Sequence, residues 1–317
     1  MRDDLSQSAE PEMSAQPHRS AHWVFWGTDG LRAGWSALLF IAILAGFFGG
    51  LAAVSRIMSR NHSHAPHGMT SLRTSLIGEA VAALLVLAVT WILSRIEGRR
   101  LAVYGYAGRV RLLRFVFGLI WGLVALASLI AALWMTHHIV FDTGHLHAAS
   151  AWKYGLGWLA VFMMTALFEE SLLRGYLQYT LTRGIGFWWS ALVMSLLFGL
   201  IHGQNAGESP VGLFSAGAVG LVFCISLWYT GSLWWAIGFH AAWDWAQTFL
   251  FGTADSGFAP PGHYLTSHPT GPLLLSGGPT GPEGSVYIAP LLVLMALCMW
   301  LWWRRKPVVS GPYDTNA

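Results

Sequence analysis

Long apolar stretches alternate with short polar interruptions along this chain. A helix that crosses a bilayer needs roughly 20 mostly apolar residues. Eight stretches meet or approach that length: residues 35–54, 76–93, 115–134, 154–182, 187–202, 211–229, 233–251 and 286–303. The fourth is too long for one crossing and turns amphipathic halfway, at "LFEESLLRGYLQ", Leu167 to Gln178. The pattern predicts an all-α, polytopic membrane bundle of about eight transmembrane helices. Residues 1–31 and 307–317 read as tails, the first without the apolar core of a cleaved signal peptide. Residues 252–285 are rich in Gly and Pro and hold no Lys or Arg, which predicts a long outer loop with little regular structure. No repeat is evident, so residues 32–306 read as one integral membrane domain.

Composition agrees with the pattern. The 317 residues are 55% hydrophobic and 10% charged, against about 25% charged in a soluble domain. The net charge of +3 could suggest nucleic acid. The arginines, however, stand beside apolar runs, where they orient helices in the membrane. No nucleic-acid partner is expected; the expected partners are membrane lipid and a protein or peptide substrate at the membrane. With the N-terminus in the cytoplasm, eight crossings return the C-terminus there. Of the 18 Lys and Arg residues, all but Arg56, Arg60, Arg73 and Lys153 then lie on the cytoplasmic side. A bacterial-type plasma membrane is the expected location. Cys224 and Cys298 both sit in apolar runs, which argues against a disulfide framework or a thiolate zinc site.

Ionisable groups inside a bilayer are costly and are usually paired or functional. Three clusters carry them: "EESLLR" (Glu169, Glu170, Arg174), "FGLIH" (Phe198 to His202) and "HAAWD" (His240, Asp244). Glu170 and Arg174 are four apart with the acid N-terminal, the favourable order for a helical ion pair. Glu169 lies about 100° around the helix and is free for another role. His240 and Asp244 are also four apart and can converge on one point. Between the fourth and fifth stretches "RGIG", Arg183 to Gly186, forms a turn, and Glu169 and His202 are equidistant from it. Each then stands roughly 24 Å along its helix. Taken singly, each cluster also has a purely structural explanation, as an ion pair or a hydrogen-bonded packing residue.

Other ionisable residues rank lower. Glu79, in the first turn of the second stretch, is read as reaching the membrane interface. His62, His64, His67, His137, His138, His145 and His147 fall in outer loops without an HExxH or paired-cysteine pattern. "GFFGG", Gly46 to Gly50, is read as a site of close helix packing.

Together the three motifs resemble the EExxxR, FxxxH and HxxxN/D motifs of the CPBP family. That family includes type II CAAX prenyl endopeptidases and bacterial bacteriocin-processing or immunity proteins. The resemblance covers a core of about residues 150–251. "SRIEGRRLAVYGY", Ser94 to Tyr106, is also similar to the basic loop that precedes this domain in many members. The resemblance implies a helical bundle around a polar cavity and hydrolysis of a peptide bond within the membrane. It implies that Glu169 activates water with help from His202. His240 and Asp244 would hold the oxyanion or the water, or bind a metal, while Glu170 and Arg174 fix the helix and Phe198 supports the site.

Two questions stay open on sequence alone. Glu169, His202, His240 and Asp244 could ligate zinc, or could act without metal. Asp244 either carries a proton, orients His240 or binds a metal, since an ionised carboxylate cannot donate to an oxyanion. The competing functions are a proton-coupled membrane transporter, using Glu169 and the histidines as a relay, and a non-catalytic membrane scaffold.

Overall fold

The computed structural model describes residues 22–27, 30–60, 71–108, 110–143 and 146–304. Most of both tails, and His62, His64, His67 and His145, lie outside them. The described chain is an all-α bundle, and each apolar stretch forms a helix. In order these are α1 (Ala33–Arg60), α2 (Leu72–Ile96), α3 (Arg111–Met135), α4 (Ala148–Glu170), α5 (Gln178–Ile185), α6 (Phe187–His202), α7 (Pro210–Thr230), α8 (Trp234–Trp245) and α9 (Ile288–Trp303). The overlong fourth stretch is α4 and α5 joined by a π-helical segment, Ser171–Leu177. Among the described residues, five spans are long and apolar enough to cross a membrane, and α6 and α9 are shorter apolar helices. The protein is an integral membrane protein.

Local chemistry sets the helix ends. Ser71 caps α2 by accepting from the Thr74 amide, and Ser209 caps α7 by accepting from Gly212, with Pro210 following it. Gly186 bends the chain between α5 and α6 at φ 81°, a left-handed value that favours glycine.

Helix α8 is the centre of the bundle: every residue from Trp235 to Asp244 is buried. Its closest neighbour is α3. A Cβ at Gly118 or Gly122 would collide with the backbone of Trp235 or Phe239, and one at Gly238 with that of Phe115. Glycines spaced by four thus let the two backbones touch, as at small-residue seams between membrane helices. This corrects the expectation for Gly46 to Gly50. Gly46, Gly49 and Gly50 have open space where a side chain would be, so the seam belongs to "GLIWG" on α3.

Residues 252–285 fold over one end of the bundle through many small attachments. Two short strands, β1 (Ile139–Phe141) and β2 (Ser267–Pro269), pair antiparallel. The amides of Tyr264 and Leu265 donate to Phe249 and Leu250, and that of Gly257 donates to Thr280. The Trp158 indole donates to Pro261. Glu283 accepts from both the amide and the hydroxyl of Ser256. The Gly and Pro content therefore serves short strands and single helical turns rather than slack chain.

Candidate active site

The three motifs meet at the wall of one cavity of about 610 Å³. Helix α4 delivers the two glutamates at its last positions. There the winding widens into the π-helical segment, within which Gly175 leaves helical geometry at ψ −109°. A second π-helical segment, Ala246–Leu250, follows Asp244. Such segments are rare and concentrate at functional sites.

Glu170 points away from the cavity. It and Arg174 are both fully buried, and Glu170 Oε1 accepts from Arg174 Nη1 at 3.0 Å. The same oxygen lies 3.1 Å from His240 Nδ1. The guanidinium sits over the Phe198 ring at 4.4 Å and near Phe223 at 5.6 Å. Phe223 in turn stacks on the His240 ring, with centroids 5.8 Å apart. The ion pair predicted from spacing is thus present, and it anchors the imidazole as well as the helix. Phe223 carries no motif and was not visible from the sequence.

Glu169 faces the cavity with His202, His240 and Asp244. Its Oε2 lies 3.7 Å from His240 Nε2 and accepts no hydrogen bond from the described residues. His240 Nε2 is also 3.3 Å from Asp244 Oδ2. Both ring nitrogens of His240 therefore face carboxylate oxygens. A ring nitrogen that carries a proton donates to the carboxylate it faces. Asp244 orients this ring from one turn along α8.

His202 stands at the same wall, edge-on to Phe198 with centroids 4.6 Å apart. Its Nδ1 lies 2.8 Å from the Phe198 carbonyl. A carbonyl only accepts, so Nδ1 holds the proton and Nε2 of the neutral ring is an acceptor.

The metal question can be put to these contacts. Among the described residues no three His, Cys, Asp or Glu side chains are disposed as a metal-binding group.

Three further carboxylates line the cavity. Glu79 reaches it from α2, facing Thr165 and Glu169, and this corrects its reading as an interfacial residue. A lone carboxylate in an apolar helix was the signal for it. Asp255 and Glu283 come from the segment 252–285, whose Gly and Pro content hid them. Outside the membrane helices, burial pushes the Asp255 carboxyl well above the ordinary range, with Asp244 and Glu283 adding to the effect. Burial also raises nearby Glu208.

Residues 151–246 match the family model described as type II CAAX prenyl endopeptidase Rce1-like. This segment belongs to the CPBP/CAAX protease family. The match supports a CAAX-type intramembrane protease in general, a hydrolase, and the family implies a membrane-associated protein substrate. All three motifs lie inside the matched segment, whereas Glu79 and the residues of 252–285 lie outside it. No curated protein matches the chain.

Proposed function

We propose that the cavity hydrolyses a peptide bond of a membrane-associated protein or peptide, with water activated by Glu169. The observation that carries this is the division of labour between adjacent glutamates. Glu170 is fully buried and bonded to Arg174 and His240, while Glu169 lines the cavity beside His202, His240 and Asp244. Glu169 takes the proton from water as the water oxygen attacks the scissile carbonyl. The acceptor nitrogen of His202 orients that water. The Nε2–H of His240, the ring nitrogen on the cavity side, donates where the oxyanion forms. The proton on Glu169 then passes to the departing amine as the carbon–nitrogen bond breaks. Low-dielectric walls strengthen each of these interactions.

The orientation that fits best places both termini in the cytoplasm of a bacterial-type cell, with residues 252–285 outside. The cavity then opens toward the outer side, because Asn205, Asp255 and Glu283 border it.

The test is a pair of substitutions in protein reconstituted with tagged membrane peptides. Glu169→Gln keeps the shape but not the base, and turnover is expected to fall about 10²–10⁴-fold in a protein that remains folded. Glu170→Gln leaves Arg174 and His240 short of an anion in a buried site. It is expected to destabilise the fold by about 3 kcal/mol or more, seen as lower yield and a lower thermal midpoint in detergent. Wild-type turnover in Glu169→Gln rejects the mechanism.

A further inference from the structure

We infer that Glu79 determines specificity in this cavity, by binding a positive charge of the substrate about two residues from the scissile bond. The inference rests on the hydrolase reading above and names the substrate class for it.

Glu79 is half-buried on α2 and lines the cavity. Its carboxylate faces Thr165 and Glu169. Thr165 and Glu169, which line the cavity together with Glu79, are one turn apart on the same face of α4, so a group bound beside Glu79 at the level of Thr165 is displaced from the base by roughly 6 Å along that helix. An extended peptide advances about 3.3 Å per residue, so the displacement corresponds to about two residues. The direction is toward the start of α4, the end capped by residues 252–285. A chain lying across Glu169 therefore passes Glu79 on its way to the mouth, where Asp255 and Glu283 follow.

The charge balance defines what the site accepts. No lysine or arginine lines the cavity among the described residues. The Arg174 guanidinium lies against the Phe198 ring and is bonded to Glu170. The His240 ring is already flanked by Glu169, Glu170 and Asp244. Glu79 thus adds a further acid beside Glu169, at a depth where an uncompensated carboxylate is costly. A lysine or arginine side chain of the substrate supplies a countercharge that no lysine or arginine of the described lining provides. Complementarity of this kind sets specificity and register more than affinity.

The experiment uses full-length protein in proteoliposomes and fluorogenic membrane peptides that differ at one position. That position carries Lys, Gln or Glu and is scanned on both sides of the cleaved bond, which mass spectrometry locates. Wild type is expected to prefer Lys over Gln by roughly tenfold in kcat/KM at one position about two residues from that bond, chiefly through KM. Glu79→Gln is expected to abolish the preference, Glu79→Asp to retain it in part and Glu79→Lys to invert it toward Glu. A Lys-to-Gln ratio in Glu79→Gln equal to that of wild type overturns the inference, even if overall activity falls, because loss of packing lowers both rates alike. A binding arm separates this outcome from failure of the hydrolase reading. With Glu169→Gln as host, fluorescence anisotropy gives the ratio of Kd values for the Lys and Gln peptides, with and without Glu79→Gln. If wild type cleaves no peptide, the hydrolase reading fails, and the Kd ratios still decide the role of Glu79.

Discussion

Glu169 and Glu170 have the same side chain and adjacent positions, yet one is fully buried in an ion pair and the other borders the cavity. A rotation of about 100° per residue separates them, and the spacing of Arg174 identified which one is paired. That much was legible, because a helical ion pair is a local property of the sequence. The convergence of His240 on both glutamates was not, since it depends on how far one hairpin slides along another. Asp244 is the residue where the alternatives now differ most sharply. It lies against His240 Nε2, and an asparagine there accepts from the same N–H through its amide oxygen while offering a donor of its own. Asp244→Asn is therefore expected to keep turnover within about tenfold of wild type, most evenly at alkaline pH, where a carboxyl group has no proton to donate. Turnover against pH and elemental analysis are measured together on both proteins. Stoichiometric zinc in the wild type, lost along with activity in the variant, rejects the arrangement described here.

At the scale of elements, the apolar pattern located the helices, because an apolar run stands out whether it faces lipid or, as in α8, the interior of the bundle. It gave no sign of the two π-helical segments, whose hydrogen-bond shift leaves composition unchanged. Nor did it show how firmly residues 252–285 are fastened, since those bonds run largely through backbone amides and carbonyls. This segment carries a pH dependence through Asp255. Burial and the charges of Asp244, Glu283 and Glu169 raise its carboxyl well above the ordinary range, which is about 4 in the unfolded chain. The folded protein thus holds this proton more tightly than the unfolded one. The associated stability is complete below the unfolded value and is lost as pH rises through the folded value. Asp255→Asn removes the titration and keeps the neighbouring Thr248 hydroxyl within reach. Its thermal midpoint in detergent is expected to fall less steeply than that of wild type as pH rises from about 4, and to lie above it at neutral pH. Parallel curves for the two proteins reject this account of the segment.

At the scale of the molecule, the glycine seam between α3 and α8 fixes the central helix, and the cavity opens at the end covered by residues 252–285. The matched family segment runs from residue 151 to 246, so the chain builds the cavity's far wall from α2 and its cover from the segment after α8. Only the motif-bearing wall was legible in advance, because the other two are recognisable by position alone. The side of the membrane on which the cavity opens follows from charge. The expected topology assigns four of the 18 Lys and Arg residues to the side of residues 252–285 and the other 14 to the opposite side. Short basic loops are retained in the cytoplasm, so residues 252–285 are expected outside and Arg100 inside. His268, more than half exposed and in a surface pair with Asp142, and exposed Arg100 are suitable positions for single cysteines, because neither change opens the core. In intact cells a membrane-impermeant maleimide is expected to label His268→Cys, and to label Arg100→Cys only after the membrane is permeabilised. Buried Cys224 and lipid-depth Cys298 set the background, measured on the wild type. Labelling of Arg100→Cys but not His268→Cys in intact cells reverses the orientation, and the cavity would then draw its substrates from the cytoplasm.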